Sequence, residues 1–462
     1  MSQEEKRKII YFLIAVVLGV VTIFLPLGLD PTIQKALAVT VFMLVMFILE
    51  PVPLAISGIA GCCLYVLTGA QPFEVSFSGF SQATTWYIFG AILIGTMVTK
   101  SGLATRMAYY IMKAAGTSFK KLLAGVLLMD FVLTFVVPSG IARVVILCTV
   151  CVGLVQALGC EKGSNVGKCL LMGVTFSAAL FDKGILGGGT SVLSRGLIEK
   201  FTGESILYSK WLMMFVPFDI LIILTVWFLL LKLFPPEKEH LNVGPSFIED
   251  QLKELGVLSP EEKRAIIIAV ATGVVWLTDF IHHLSPALVG IAAGVVATLP
   301  GIGVLKEEDL KKVNFLMVIF IGCALSLGEV IIKTGAADVM SNTLFSWLKP
   351  ILSGENSITF AILYVYNFIL HLFLGDELAV IVATMPAVLK FAGEVGLNGV
   401  LIGLLWTYAT GAKIFIYQSG PLVAGYSFGY FTTKDMLKLA AITSVIQLLI
   451  ITILPYWWML FL

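Results

Sequence analysis

An apolar run that is broken near its middle constrains the fold of this chain more than any other feature. Residues 131–147 read FVLTFVVPSGIARVVIL, with Pro138-Ser139-Gly140 at the break and Arg143 just beyond it. Lipid cannot hydrogen-bond to an open backbone, so a break at membrane depth must be buried in protein or line a cavity. A charge at that depth is costly and marks a candidate functional site. The sequence therefore predicts a re-entrant hairpin with this tripeptide at its tip, and a kink in a continuous helix is the alternative.

A second break of the same kind lies in the other half of the chain. Residues 370–386 read LHLFLGDELAVIVATMP and carry Gly375-Asp376-Glu377 at the corresponding point. A helix that starts at such a tip presents free N–H groups and the positive end of its dipole. We therefore expect the two tips to meet near the middle of the membrane and to hold a small anion.

Composition places the chain in a membrane. Of its 462 residues, 58% are hydrophobic and 13% are charged, whereas soluble domains have roughly 25% charged residues. We expect an all-α polytopic membrane protein with about 11 transmembrane helices. The net charge of +1 gives no sign of a nucleic-acid partner, and the seven cysteines lie in apolar segments. No nucleophile with a neighbouring base is visible, so the sequence does not predict an enzyme.

A long polar stretch at 234–264 divides the chain into two halves of similar plan. The segment 99–107, TKSGLATRM, resembles 332–340, IKTGAADVM, and each precedes a broken hairpin and then a broken long helix. Five crossings in each half would invert the second copy in the membrane. The predicted plan is an N-terminal helix (1–32), a first inverted repeat (33–233) with a re-entrant hairpin (about 121–160) and a broken helix (about 169–197), a cytoplasmic linker (234–264), and a second inverted repeat (265–462) with a hairpin (about 356–392) and a broken helix (about 399–429).

The distribution of Lys and Arg predicts the orientation. Basic residues cluster in alternate loops, and the loops at 69–82 and 279–285 contain none. Because cytoplasmic loops carry the excess of Lys and Arg, we expect a cytoplasmic N-terminus and an external C-terminus. No cleavable signal peptide is evident, and a bacterial-type inner or plasma membrane is the expected location.

Each broken helix carries a lysine within its interruption. Lys183 follows Asp182 before a glycine run, and Lys413 ends the segment Ala409–Lys413. A buried lysine must be paired or must lose its proton. Lys183 and Lys413 are therefore candidates for fixed positive charges that face the substrate. The alternative is a structural ion pair, either with Asp182 or with the carboxylates of the second tip.

The second tip places two carboxylates side by side in the membrane. Asp376 and Glu377 could neutralise the lysines, carry protons or coordinate a cation. His371 precedes them and could join a proton relay, although a single buried histidine is more often a packing residue.

The remaining candidate ligands would bind through a hydroxyl group, an accessible backbone group or a guanidinium group. Ser139 could contact a substrate or an ion, and Gly140 allows close approach of the backbone. Arg143 is equally a ligand or the partner of a structural ion pair. Thr190 and Thr410 could supply hydroxyl ligands, although membrane helices also use such residues for packing.

These motifs resemble the divalent anion/sodium symporter family, the carriers of dicarboxylates, citrate and sulfate. The resemblance extends from about Leu37 to the C-terminus. It rests on VVPSGIAR at 136–143, on KSGLA at 100–104, on GYFTTKDMLKLA at 429–440 and on the order of hairpins and broken helices. It implies an inverted repeat, two re-entrant hairpins, a homodimeric scaffold and an elevator-like movement of the substrate-binding part.

The chain departs from the family pattern at both tips. Members usually carry Ser-Asn-Thr there, whereas this chain has Ser139-Gly140-Ile141 and Gly375-Asp376-Glu377. A sodium ion near Ser139, Gly140 and Gly375 is therefore only one alternative. The two lysines could instead replace sodium, as would suit an exchanger, and the carboxylates could carry protons.

The resulting expectation is a secondary active transporter of small divalent organic anions. Four- or five-carbon dicarboxylates such as malate, succinate, 2-oxoglutarate or tartrate are the expected substrates, coupled to a cation gradient or to exchange. The alternative is a carrier of sulfate, a sulfonate or an amino-carboxylate that is proton-coupled through Asp376 and Glu377. No cofactor is expected beyond sodium or a proton, and the expected partners are the anion, the lipid bilayer and a second copy.

Overall fold

The protein is built from helices, as a computed structural model shows. The structure describes residues 2–116, 118–137, 139–180, 183–185, 188–237 and 244–462. The α-helices of the first half are α1 (Gln3–Phe24), α2 (Pro31–Leu49), α3 (Leu54–Leu67), α4 (Phe73–Ser76), α5 (Ala83–Lys100), α6 (Leu103–Ala115), α7 (Phe119–Thr134), α8 (Gly140–Ala157), α9 (Asn165–Leu180), α10 (Gly189–Thr202) and α11 (Tyr208–Leu233). The remaining α-helices are α12 (Gly244–Leu255), α13 (Pro260–Leu277), α14 (Asp279–His282), α15 (Pro286–Val296), α16 (Glu307–Leu310), α17 (Phe315–Thr334), α18 (Ala336–Phe345), α19 (Ser357–Leu374), α20 (Glu377–Glu394), α21 (Gly399–Ala409), α22 (Gly420–Tyr426), α23 (Thr433–Ile451) and α24 (Leu454–Trp458). Short 3-10 helices cover Ser78–Ser81, Ser346–Leu348 and Ile416–Gln418.

Several of these helices can cross a membrane. Among the described residues, six are long and apolar enough to do so: α1, α2, α8, α11, α17 and α19. A bent pair, α5 and α6, meets at 65° and would make a seventh span if it is counted as one. Four shorter apolar helices, α3, α9, α15 and α21, accompany them. The protein is thus an integral membrane protein, and the number of about 11 crossings stays a prediction.

Polar residues define where the long apolar helices begin. At α1, the Ser2 hydroxyl accepts from the N–H of Glu5, whose carboxylate accepts from the N–H of Ser2. Ser259 and Glu262 form the same reciprocal pair at α13, where Pro260 is the first helical residue. Such capping boxes satisfy N–H groups that have no partner within the helix. They explain why each helix starts at its polar sequence signal.

Each predicted hairpin coincides with two consecutive helices. In the first, α7 ends at Thr134 and α8 starts at Gly140; Pro138 lies outside the described residues. In the second, Gly375 joins α19 to α20 with φ +71°. A side chain is strained at that angle, so glycine is required for this turn.

Each of the two long segments that follow is divided between two helices. One consists of α9 and α10, and Lys183 lies between them; Asp182 and Gly187 lie outside the described residues. The other consists of α21 and the seven-residue α22, with Lys413 and a 3-10 turn between them. Each interruption therefore exposes two helix ends within the apolar part of the protein.

The polar linker contains a helix that the sequence analysis did not anticipate. Helix α12 packs against α6 and α8. Ile248 is buried and Phe247 packs against the core, contacting Gly153 of α8. The apolar residues of this stretch are few but lie on one helical face, which is how an otherwise polar segment gains a packing surface.

Two groups of helices enclose a cavity. Helices α2, α3, α5, α15 and α17 pack on one another, and the hairpins and broken helices pack together as a second group. In the second group α8 packs against α22, and α10 packs against α20. This arrangement brings both hairpin tips and both helix interruptions to one place.

Candidate functional site

A cavity of about 710 Å³ lies between the two groups of helices. One wall comes from the turn between α2 and α3, from α5 and from the segment before α17. The opposite wall comes from the hairpin tips and the interrupted helices. Its lining residues are Glu50, Leu54, Ile88, Ile92, Gly95, Thr96, Thr99, Lys100, Val137, Ser139, Gly140, Ile141, Ala142, Gly189, Thr190, Asp309, Lys312, Asn314, Met317, Asp376, Glu377, Leu378, Gly420 and Pro421.

Three long helices begin at this cavity. Helices α8, α10 and α20 have 18, 14 and 18 residues, and their first residues, Gly140, Gly189 and Glu377, all line it. The start of the short helix α22 also reaches the same wall. Unpaired N–H groups and the positive dipole ends of three helices therefore converge on one space, and this arrangement favours an anion.

The two hairpin tips carry side-chain caps at equivalent positions. The Ser139 hydroxyl accepts from the N–H of Ala142 at 3.2 Å. At the second tip, Asp376 Oδ1 accepts from the N–H of Leu378 at 2.9 Å. Asp376 therefore has a local role as the cap of α20 as well as a position in the cavity wall.

Behind the second tip, both lysines converge on a single carboxylate. The ammonium groups of Lys183 and Lys413 each lie 2.8 Å from Oε2 of Glu377. All three side chains are buried, with at most 4% of each residue exposed. We refer to Lys183, Glu377 and Lys413 as the triad. Only Glu377 among its members lines the cavity.

The end of helix α9 helps to hold the two ammonium groups. Lys413 donates to the carbonyl of Ala179, and Lys183 donates to the same carbonyl at 3.4 Å. Lys413 also lies 3.5 Å from the Ser419 hydroxyl. Carbonyl groups in the last turn of a helix carry its negative dipole end, which stabilises cations. The triad thus joins α20 to both interrupted helices.

Arg143 is buried away from the cavity and is engaged by protein groups. Its Nε lies 3.0 Å from Oδ1 of Asp130, and neither side chain is exposed. Its other nitrogens donate to the carbonyls of Val137 and Ala178 at 3.0 and 3.2 Å. Ser177 donates to the second oxygen of Asp130 at 2.8 Å. This geometry favours the structural interpretation of Arg143, because the side chain links the start of α8 to α7 and α9 through its contacts with Asp130 and Ala178.

The other predicted site residues fall into two sets. Thr190 lines the cavity beside the start of α10. Thr410 is buried and donates to the Thr407 carbonyl at 2.8 Å, while Gly375 forms the turn behind Asp376. His371 is fully buried on α19 and does not line the cavity. The structure therefore brings Ser139, Gly140, Thr190, Asp376 and Glu377 to the cavity wall.

Charged side chains that the sequence analysis did not single out as site residues surround the cavity mouth. Lys100 lies 2.5 Å from Oδ2 of Asp309, and Lys312 lines the wall beside them. Burial disfavours ionisation of Asp309, but hydrogen bonds from Lys100 and the N–H of Lys306 outweigh it and hold its pKa below the usual value. Glu50 caps α2 with φ 45° and faces the same space. Nothing in the local sequence distinguishes these residues from ordinary loop charges.

In the part of the chain that the structure describes, no group of three or more His, Cys, Asp or Glu side chains is placed to hold a metal ion. What the site offers is a concave anion-attracting surface backed by buried ionic groups.

Residues 5–462 match the family model described as the sodium:sulfate symporter transmembrane region. The chain belongs to this family. The family resemblance drawn from the segments at 100–104, 136–143 and 429–440 is therefore confirmed. The prediction of a transporter and not an enzyme is confirmed as well. The family match spans both hairpins, both interrupted helices and the linker.

Related proteins also align with most of this chain. An L-tartrate/succinate antiporter of Escherichia coli K12 is 26% identical over an alignment of 479 residues, covering 96% of each chain. A protein of Cupriavidus necator called a membrane protein is 26% identical over 420 residues, covering 86% of this chain and 82% of its own. The similarity to the antiporter thus covers almost all of both proteins.

Two solved structures share the fold. The Neisseria gonorrhoeae MtrF structure superposes with a TM-score of 0.56 at 12% identity, covering 98% of this chain and 94% of its own. The Alcanivorax borkumensis YdaH transporter gives a TM-score of 0.55 at 14% identity, covering 99% and 98%. At these identities the likeness concerns the fold alone.

Proposed function

We propose that this member of the family exchanges small dicarboxylate dianions across the membrane. The observation that carries the proposal is the convergence of three helix N-termini on one cavity. Free N–H groups at helix starts bind carboxylate oxygens without requiring a basic side chain in the wall. The name of the related L-tartrate/succinate antiporter supports the same substrate class, four-carbon dicarboxylates such as tartrate, succinate and malate.

The cavity dimensions are compatible with such a substrate. Its volume of about 710 Å³ lies within the range of small-molecule sites, roughly 300–1,000 Å³. One carboxylate of a dianion would meet the start of α8 near Ser139 and Gly140, and the other the start of α10 near Thr190. Apolar residues from α5, Ile88 and Ile92, cover the opposite side.

The triad supports exchange rather than coupling to a sodium gradient. Lys183 and Lys413 place two fixed ammonium groups directly behind the second tip, where both contact Glu377. A carrier whose positive charges are covalently fixed has less need of a co-bound cation to neutralise a dianion. On this proposal the substrate-loaded form crosses in each direction, and internal dicarboxylate drives uptake.

The helix contacts support an inverted repeat and a moving substrate-binding unit. Helix α3 packs on α17 as α15 packs on α5, and α10 packs on α20 as α22 packs on α8. A two-fold axis between the halves produces such reciprocal contacts. We propose that the hairpins and broken helices move together against the other group in an elevator-like manner, within a homodimer. Lys100 and Lys312 at the mouth would then face the cytoplasm, with the N-terminus cytoplasmic.

Transport into proteoliposomes tests this function. Uptake of labelled succinate is measured with internal succinate, a sodium gradient or a proton gradient imposed separately. Uptake that requires internal dicarboxylate is the expected result. Uptake that requires sodium would reject exchange in favour of coupling to a sodium gradient, and variants of Ser139 would then test whether the ion binds at the first tip.

Asp376 lines the cavity, and its carboxylate favours a second class of substrate that carries a cationic group. An amino-dicarboxylate could place its ammonium group against that carboxylate, and proton coupling through Asp376 and Glu377 would then be expected. Competition by aspartate, sulfate and taurine distinguishes these substrates from succinate in the same assay. Uptake of labelled aspartate with no uptake of labelled succinate would favour the alternative.

A further inference from the structure

Most of the unsatisfied buried polar atoms of the described chain belong to four residues. Nine buried side-chain nitrogen or oxygen atoms lack a hydrogen-bond partner, and six of them belong to Asp219, Asn367, His371 and Tyr408. We call these four residues the buried polar cluster. Each such atom costs about 1–3 kcal/mol if it stays unsatisfied. Six such atoms therefore call for a ligand that supplies the missing bonds.

The buried polar cluster lies next to the triad and away from the cavity. Asn367 and His371 are one turn apart on α19, and neither is exposed. His371 interacts electrostatically with Lys413, Glu377 and Lys183. None of the four residues of the cluster lines the cavity.

The other two members approach from α11 and α21. Asp219 interacts electrostatically with Lys183 and with Tyr408. A side-chain carbon on Gly184, the residue after Lys183, would meet Oδ2 of Asp219 at 1.5 Å. Three helices, α11, α19 and α21, thus carry unsatisfied polar groups that interact electrostatically with the triad or with one another.

The chemistry of these groups selects water over an ion. The Asn367 amide and the Tyr408 hydroxyl both donate and accept, at least one nitrogen of the His371 ring donates, and Asp219 only accepts when ionised. Water satisfies such a mixture because it donates and accepts at once. The neighbouring ammonium groups of Lys183 and Lys413 disfavour a metal cation, and Asp219 and Glu377 disfavour an anion.

We propose that a group of ordered water molecules occupies the buried polar cluster and hydrates the triad from behind. These waters link Asp219, Asn367, His371 and Tyr408 to the ammonium groups of the two lysines. When substrate enters from the cavity side, the field on the triad changes, and the waters reorient to keep the ammonium groups solvated. The cluster thereby lowers the cost of the charge rearrangement that accompanies binding and release.

X-ray radiolytic labelling of the full-length protein in lipid nanodiscs tests the presence of water. Hydroxyl radicals formed from bound water oxidise the side chains that it touches. Tyr408 and His371 should be oxidised severalfold faster than Tyr65, which is also buried but bonds to the Thr40 hydroxyl at 2.8 Å. Equal rates at Tyr408 and Tyr65 would show that the cluster is dry and would overturn the proposal. Loss of labelling when sodium replaces choline would also overturn it, in favour of a cation.

The variant Asn367→Leu provides an independent measurement. If water is bound, the variant should reduce labelling of Tyr408 and lower the maximal rate of transport by about tenfold, equivalent to one lost buried hydrogen bond. The substrate KM should stay unchanged, because Asn367 does not reach the cavity. If the cluster is dry, leucine removes two unsatisfied atoms, and the melting temperature should rise with transport unchanged, which would contradict the proposal. The labelling result does not depend on the identity of the substrate, so it separates this inference from the proposed function.

Discussion

Lys183 and Lys413 come from the two interrupted helices and meet at one oxygen atom, Oε2 of Glu377, at 2.8 Å each. This relationship ties the two halves of the chain together in the apolar interior. Glu377 also begins α20 and lines the cavity, so it connects the two lysines to the cavity wall. The electrostatic state of the site therefore depends on a single carboxylate.

Replacing Glu377 by glutamine should impair both folding and transport. The change leaves two buried ammonium groups beside a neutral amide, and the loss of one partner of a buried ion pair typically costs about 3 kcal/mol or more. Thermal unfolding in detergent should occur at a lower temperature, and exchange should fall to background. The double variant Glu377→Gln/Lys413→Met removes one of the repelling charges and should recover part of the stability. A double variant no more stable than the single one would mean that the two groups are not coupled.

Removing either triad lysine should affect transport more than removing a surface lysine. Lys413→Met and Lys183→Met should each lower dicarboxylate exchange by at least about tenfold, since each removes a buried charge behind the anion site. Lys390→Met is the matched control, because Lys390 is 41% exposed and pairs with Asp338 at 2.7 Å. Initial rates at saturating and limiting succinate provide the measurement. Wild-type kinetics in both triad variants would exclude the lysines from the site.

Replacing Asp376 by asparagine should increase the affinity for dicarboxylates. Asparagine still caps α20, so the turn at the second tip should be retained. The lost negative charge no longer opposes the dianion, and its dissociation constant should fall by about tenfold. Any dependence of uptake on pH should also become weaker if Asp376 is the titrating group. Binding calorimetry and uptake across a series of pH values provide the measurement, and an unchanged affinity would assign Asp376 to capping alone.

Two substitutions of Ser139 separate capping from substrate contact. Ser139→Ala removes the cap of α8 and should cost about 1 kcal/mol of stability, whereas glycine at this position costs only a few tenths. If the hydroxyl also contacts the substrate, both variants should raise the KM for succinate. A normal KM in Ser139→Gly together with a raised KM in Ser139→Ala would show that Ser139 acts through the helix start only.

A methyl group at Gly184 should disturb the packing beside the triad. The added carbon of Gly184→Ala would lie 1.5 Å from Oδ2 of Asp219, which requires one of the two segments to move. Overpacking of this kind costs about 1–3 kcal/mol. The double variant Gly184→Ala/Asp219→Ala creates the missing space and should unfold at a higher temperature than Gly184→Ala. A double variant that melts no higher than Gly184→Ala would show that contact with Asp219 is not what excludes a side chain at position 184.

The breaks in apolar runs allowed the starting points of two helices at the cavity to be predicted. Pro138-Ser139-Gly140 and Gly375-Asp376-Glu377 are visible in the sequence because they interrupt segments that lipid would otherwise keep helical. In the structure α8 begins at Gly140 and α20 begins at Glu377, each at the predicted break. Local rules were sufficient here because hydrogen bonding along the backbone decides where a helix in an apolar environment can stop.

The sequence by itself thus determined a helical membrane protein, the two breaks at which α8 and α20 begin, its family and five of the residues that line the cavity. Only the tertiary structure decided their partners. Arg143 turned toward Asp130 and not toward the cavity, and both lysines met at Glu377. Glu50 and Asp309 joined the cavity wall without any local signal. The physical reason is that charge pairing is chosen by distance in three dimensions, and helices distant in sequence set those distances through their packing.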